Sequence, residues 1–193
     1  MSGAAVPGLR AEPLRLPGVL RLVRTQHADA RGWLMEAWNA RDAVAVGLPG
    51  SLAQENLVES GPGVLRGLHL QHPGVQGKLV EVLAGAIHDV AVDVRVGSPT
   101  FGQHVAVRLD AEARHLLWVP PGFAHGFAVL GSTPALVLYR MTVAREPEHE
   151  VSIAYDDPRL GIAWPVARPI LSARDAQAPR LEALDPARLP RHA

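Results

Sequence analysis

The sequence predicts an all-β fold, a double-sheet jelly roll with short peripheral helices, and three observations carry that expectation. Glycine and proline supply 18 and 17 of the 193 residues, too much punctuation for long helices and well suited to short strands joined by turns. From Val64 to Val143 the apolar residues alternate or run in short bursts between turn signals, without helical periodicity, as strands of a sandwich or barrel do. Hydrophobic residues make up 48% and charged residues 20% of the chain, which suits one domain over 1–193 with a substantial core, 1–10 and 181–193 being read as flexible ends. A jelly roll of this kind offers a pocket at its barrel mouth.

The elements follow in order. Gly18 to Arg24 and Gly32 to Trp38 read as strands around the polar turn Asp29 to Arg31, and Arg41 to Val46 as a short helical turn. Lys78 to Ala84 and Ala86 to Val94 flank Gly85 as a hairpin, with Val90, Val92 and Val94 on one face and Asp89, Ala91 and Asp93 on the other. The cluster GSPTFG is a turn before a half-buried strand from His104 to Leu109. His115 to Val119 and Ala135 to Val143 are two more strands, and PPGFAHGF between them reads as a loop carrying His125. Leu181 to Ala193 reads as a short helix and a frayed tail.

Composition excludes several function classes. Lys plus Arg equals Asp plus Glu at 19 each, so the basic footprint of a nucleic-acid binder and any strong pull toward anionic membranes are missing. With no cysteine there is no disulfide framework, thiolate metal site or cysteine nucleophile, and the cytoplasm is the expected compartment. No apolar run has the length of a membrane span, and MSGAAVPGLRAEPLRLPGVL lacks a basic start followed by an apolar segment, so no targeting is expected.

Several residues have chemistry to offer. In VLRGLHLQ, Arg66 and His69 lie three apart, which puts them on opposite faces of a regular strand. A bulge at Gly67 turns both toward one cavity, whereas an edge strand leaves each in solvent; both readings stand on this segment alone. His69 is the best general-base candidate, because a neutral imidazole titrates near working pH. Tyr139 shares a face with Ala135, Val137 and Met141, which suits a core tyrosine as well as a catalytic phenol. Asp175 in LSARDAQAP reaches His69 only if the C-terminal segment folds back over the barrel mouth. Lys78, the sole lysine, reads by default as a surface cation. His69 and His72 have His-x-x-His spacing with no glutamate at a suitable offset, a poor metal pattern, so no metal is expected. Phosphate-loop, GxGxxG and GxSxG motifs are all absent.

The segments VLRGLHLQ, QGKLVEVLAGAIHDVAVDVRVGSPTFGQ, LLWVPPGFAHGF, VLYRMT, DDPRLGIAWP and LSARD, in this order from about Val19 to Pro179, together resemble the dTDP-4-dehydrorhamnose 3,5-epimerase family. The resemblance implies a cupin-like jelly roll, a homodimer, and a nucleotide-linked 4-keto-6-deoxyhexose substrate handled without cofactor or metal. It implies His69 as base, Asp175 as its dyad partner, Tyr139 as the acid on the opposite face and Lys78 beside the keto oxygen. It puts substrate contacts on Arg31 and Glu36 in DARGWLME, on Gln54, Glu55 and Asn56 in QEN, and on Arg66, His125, Glu150 and Arg174. The implied chemistry is coherent, since a C–H beside a ketone is acidic only through its enolate, which needs a base at carbon and a cation at oxygen.

The chain departs from the family on the nucleotide side. TVAREPEHE, with Ala144 and Arg145, stands where a tyrosine pair is common; Leu57 and Val58 replace polar residues, and His27 replaces an aromatic. The planar guanidinium of Arg145 is a substitute platform for a base. Two other activities fit the same residues: a nucleotide-sugar 3,4-ketoisomerase, which moves the carbonyl instead of inverting a centre, and a non-catalytic sugar-binding cupin.

Overall fold

The computed structural model describes residues 3–192, so that Met1, Ser2 and Ala193, the extremities of the two ends expected to be flexible, lie outside the described residues. In chain order the elements are β1 (Ala5–Val6), β2 (Leu9–Pro13), β3 (Leu20–Arg24), β4 (Gln26–Asp29), β5 (Gly32–Met35), α1 (Ala40–Ala45), β6 (Gln54–Ser60) and β7 (Leu65–Gln71). They continue as β8 (Lys78–Ala84), β9 (Ala86–Asp93), β10 (His104–Asp110), β11 (Leu116–Val119), β12 (Phe123–Val129), β13 (Ala135–Met141), β14 (Glu150–Ser152) and α2 (Ala173–Ala176). Pairing is antiparallel throughout these strands, in a seven-stranded sheet ordered β1-β2-β3-β11-β8-β13-β6 and a five-stranded sheet ordered β10-β9-β12-β7-β14. The architecture is the all-β double-sheet jelly roll that the alternating sequence predicts.

Alternation sorts each strand between the inside of the sandwich and its outer faces. Val80 and Val82 of β8, Ile87 and Ala91 of β9, Phe123 and Phe127 of β12, and Ala135 and Val137 of β13 form the core between the sheets. On β9 the opposite parity, Val90 and Val92, packs outside the five-stranded sheet against Leu181, Leu184 and Leu189. The segment expected to be a short helix and a frayed tail is thus packed, because its leucines recur at a spacing that lets two short 3₁₀ turns bury them. Outside the seven-stranded sheet, α1 buries Ala43, with Val46 following it, against Leu79 and Trp118. Its Asn39 side chain accepts hydrogen bonds from the Arg41 and Asp42 amides, which satisfies the first turn.

The hairpin at Gly85 forms as expected, and glycine is required there: φ is +74° and an added Cβ falls 2.4 Å from the Pro134 carbonyl oxygen. The larger difference from expectation lies in PPGFAHGF. Pro120 to Gly122 make the turn, but Phe123–Val129 is a strand with every residue buried, not a loop. Gly126 resembles a loop signal in sequence, yet its task is close approach. A Cβ built on Gly67 of the neighbouring strand falls 2.5 Å from the Gly126 Cα, so the two glycines let β7 and β12 pass at this point.

Candidate active site

Gly67 sets the site. Its φ of +124° is a backbone state open to glycine. Around it, β12 advances from His125 to Phe127 while β7 advances from His69 to Arg66, so β7 carries one extra residue. Leu68 and Leu70 consequently stay in the outer cluster, while Arg66 and His69 both line one cavity of about 330 Å³ between the sheets. The bulge, not the solvated edge strand, is the arrangement adopted.

The C-terminal segment then supplies a carboxylate. Ile170 docks beside the start of β7, its N–H donating to the Gly63 carbonyl and its own carbonyl accepting from the Leu65 N–H. Ser172 caps α2 by accepting from the Asp175 N–H at 3.1 Å, and Asp175 Oδ1 sits 2.6 Å from His69 Nε2. Its second oxygen accepts from the Gly67 N–H at 3.4 Å. With Nε2–H donated to Asp175, Nδ1 is the ring nitrogen left to act as a base. Burial is the largest influence on His69 and holds its pKa below the ordinary value against the pull of Asp175. Burial alone would raise the pKa of Asp175, but its bonds from His69, Gly67 and Ser172 bring it below the usual carboxylate value.

Across the cavity, the seven-stranded sheet contributes Lys78 and Tyr139 from the adjacent strands β8 and β13. Lys78 lies on the same face as Val80 and Val82 and is only 8% exposed, so the sole lysine is a buried cation and not a surface one. Its Nζ donates to the His69 carbonyl at 3.2 Å, bridging the two sheets. Burial lowers its pKa to about 8, and the charges of Glu150 and Asp89 act to raise it. Tyr139 Oη accepts from Asn56 Nδ2 at 3.3 Å, and Asn56 Oδ1 accepts from Gln54 Nε2 at 2.9 Å. Gln54 in turn accepts from the Arg145 N–H at 2.9 Å. A base with its carboxylate on one sheet thus faces a phenol and an ammonium on the other.

The rim carries the charge. Arg145 binds Glu150 through two parallel bonds of 2.8 Å, and Arg174 binds Glu150 and Ser152. The bonds from Arg145 and Arg174 hold the Glu150 pKa down to about 2, against its burial. With Arg66, these guanidiniums make a cationic mouth suited to phosphate oxygens. Among the described residues no three His, Cys, Asp or Glu side chains gather as a candidate metal site.

Some expected contacts lie elsewhere. Glu55 is on the outer face of β6, bound to Arg140 at 3.1 Å, because alternation sends its neighbours Gln54 and Asn56 inward. Arg31 and Glu36 do not reach the cavity of their own chain. Arg31 is paired with Asp29 on the separate β4–β5 ribbon, and Glu36 accepts from Asn39 just beyond it. Conversely, sequence reasoning passed over Gln76, Phe127 and Met141, which line the cavity, and Asp89, which binds His125 Nε2 at 2.6 Å. For Asp89 a signal existed: an acid inside the apolar run AIHDVAV must be buried with a partner.

The comparisons with known proteins agree with one another. Residues 13–183 match the family model described as dTDP-4-dehydrorhamnose 3,5-epimerase. The chain is 47% identical over 171 residues to a dTDP-4-dehydrorhamnose 3,5-epimerase of Pseudomonas aeruginosa, covering 88% of this chain and 94% of that one. It is 40% identical over 188 residues to a dTDP-4-dehydrorhamnose 3-epimerase of Streptomyces niveus, covering 96% and 90%. A crystal structure of a dTDP-6-deoxy-D-glucose-3,5-epimerase from Legionella pneumophila, in complex with dTDP-4-keto-L-rhamnose, superposes with a TM-score of 0.91 at 43% identity, covering 96% and 99%.

Proposed function

The chain belongs to the dTDP-4-dehydrorhamnose 3,5-epimerase family, isomerases acting on carbohydrates, and from that membership we propose how this molecule epimerises. The substrate is a dTDP-linked 4-keto-6-deoxyhexose, met in the cytoplasm. His69 Nδ1 removes the proton from C3, C5 or both, each next to the 4-keto group, while Asp175 holds the imidazolium that forms. Lys78 stabilises the enolate oxygen, worth about 3 kcal/mol if it acts as an oxyanion-hole donor does. Tyr139 returns a proton from the opposite face, which inverts the centre. The observation that carries this reading is the opposition of the His69–Asp175 pair on one sheet to Tyr139 and Lys78 on the other, across a single cavity. Incubation with dTDP-4-keto-6-deoxyglucose, borohydride reduction and sugar analysis test it. Hexoses of inverted configuration support the reading, and only the configurations of the starting sugar, or a carbonyl at C3, overturn it.

The nucleotide side follows from the rim. Arg66 and Arg174 take the diphosphate, and Arg145, freed from Glu150, stacks on the base. His125 at the cavity wall, with Nε2 held by Asp89, offers Nδ1 to a sugar hydroxyl.

Activity is expected to be bell-shaped in pH. His69 works as the unprotonated base, so kcat/KM rises with pH through its pKa, which lies below the ordinary histidine value. Lys78 works as the cation, so activity falls again through about pH 8. A pH–rate series checks this; a plateau extending beyond pH 10 would exclude a charged Lys78 from the mechanism.

A homodimer accounts for the ribbon. The β4–β5 pair forms a sheet of its own, with Trp33 at 51% and Leu34 at 72% exposure, an apolar surface suited to burial by a second copy. Arg31 and Glu36 then reach the partner's cavity and not their own. Light scattering is expected to give twice the chain mass of 20.6 kDa, and Trp33→Glu with Leu34→Glu to give the monomer with weakened substrate binding. A monomeric parent protein would contradict this.

A further inference from the structure

Asp89 is a buried acid of β9 that the mechanism above does not use for proton transfer. Its side chain is fully buried at 0% exposure. One oxygen takes the bond from His125, while Oδ2 has no hydrogen-bond partner. A buried carboxylate with a free oxygen is costly unless a cation lies near. His125 is in register with His69, whose carbonyl accepts from the Lys78 ammonium, so the ring that Asp89 holds lines the same cavity as Lys78.

Glu150 acts on Lys78 more strongly than Asp89 does, but from the rim. Facing Lys78 are Arg66 and His69 of β7, Asp89 of β9, His125 of β12, Tyr139 of β13, Glu150 of β14 and Arg174 of α2. Glu150 is the only other acid among them, and its carboxylate is already divided between two guanidiniums at the rim. The geometry points to Asp89 as a positioning residue of the active site, which anchors the His125 ring with one oxygen and supplies the buried counter-charge that keeps the Lys78 ammonium in place. The catalytic consequence rests on the epimerase reading, whereas the charge pairing does not. Both Glu150 and Asp89 act to raise the Lys78 pKa, in keeping with this role.

Because Lys78 is the only lysine in the chain, its titration is directly legible. Protein labelled with ¹³C at lysine Cε gives one side-chain signal, whose midpoint needs no substrate and no turnover. In Asp89→Asn that midpoint is expected to fall by about one pH unit, and the alkaline limb of kcat/KM to move down with it. An unchanged Lys78 midpoint overturns the inference, whether or not the protein is an epimerase. A lowered midpoint with an unmoved alkaline limb overturns its catalytic half, since a merely structural role for Asp89 scales activity at every pH without shifting the limb. If Asp89→Asn does not fold, the double variant Asp89→Asn with Lys78→Met, which removes both buried charges, is expected to fold and to show a cooperative melting transition that the single one lacks. A double variant no more stable than Asp89→Asn would overturn the pairing.

Discussion

Replacing His69 by alanine is expected to stop exchange of the sugar C–H with solvent. The imidazole is the one ring on the five-stranded sheet that combines a cavity-facing nitrogen with a carboxylate from α2, at 2.6 Å. A positioned base contributes about 10²- to 10⁴-fold, and here no neighbour is placed to inherit the task, since His125 has its own carboxylate and stands on the next strand. A loss of about 10³-fold or more in kcat/KM is expected, with the fold intact because the side chain is part-exposed at 29%. Activity within about tenfold of the parent would remove His69 from the reaction.

Tyr139→Phe separates the two halves of the reaction. The phenol lies on the sheet opposite the base and packs its ring against the apolar core, so phenylalanine fills the same space and only the hydroxyl and its bond to Asn56 are lost. Proton removal by His69 continues, and deuterium from solvent returns on the face it left. Inversion is expected to fall by about 10²- to 10³-fold while wash-in of deuterium falls far less. The ratio of exchange to inversion is the quantity to read; if both fall together, Tyr139 is not the acid, and if inversion is retained in full the hydroxyl has no part.

How much of this was legible in the sequence depended on the range of the physics involved. Strand alternation is local, and it gave the faces of β9 and the hairpin at Gly85 correctly. The bulge at Gly67 was readable as one of two options, and what chose between them was a glycine 59 residues away, Gly126, whose approach leaves no room for a Cβ. That same glycine disguised β12 as a loop, because in one dimension a glycine for close approach and a glycine for a turn look alike. Asp175 and His69 are 106 residues apart, and only the docking of Ile170 beside β7 brings them together. Glu55 was assigned with its neighbours as a block, although strand alternation sends it to the other face. Alternation puts Asp89 on the correct face, but its pairing with His125 is legible only once PPGFAHGF is seen to form β12.

The arrangement of charge also sets Arg145 apart from the groups proposed for catalysis. Arg145 and the segment after β13 lie at the rim, tied to Glu150 and Gln54, whereas His69, Lys78 and Tyr139 are set by strands packed in the core. Substitutions at the rim are expected to alter what is held without moving the groups proposed for the chemistry.

The most direct measurement of the central claim is proton NMR of dTDP-4-keto-6-deoxyglucose incubated with the protein in heavy water, reading each sugar carbon for deuterium and for configuration. The account expects deuterium at C3, C5 or both, with inversion at every carbon where Tyr139 completes the transfer, and a carbonyl that stays at C4. A sugar that keeps all its protons and its configuration, or a carbonyl that moves to C3, would contradict it.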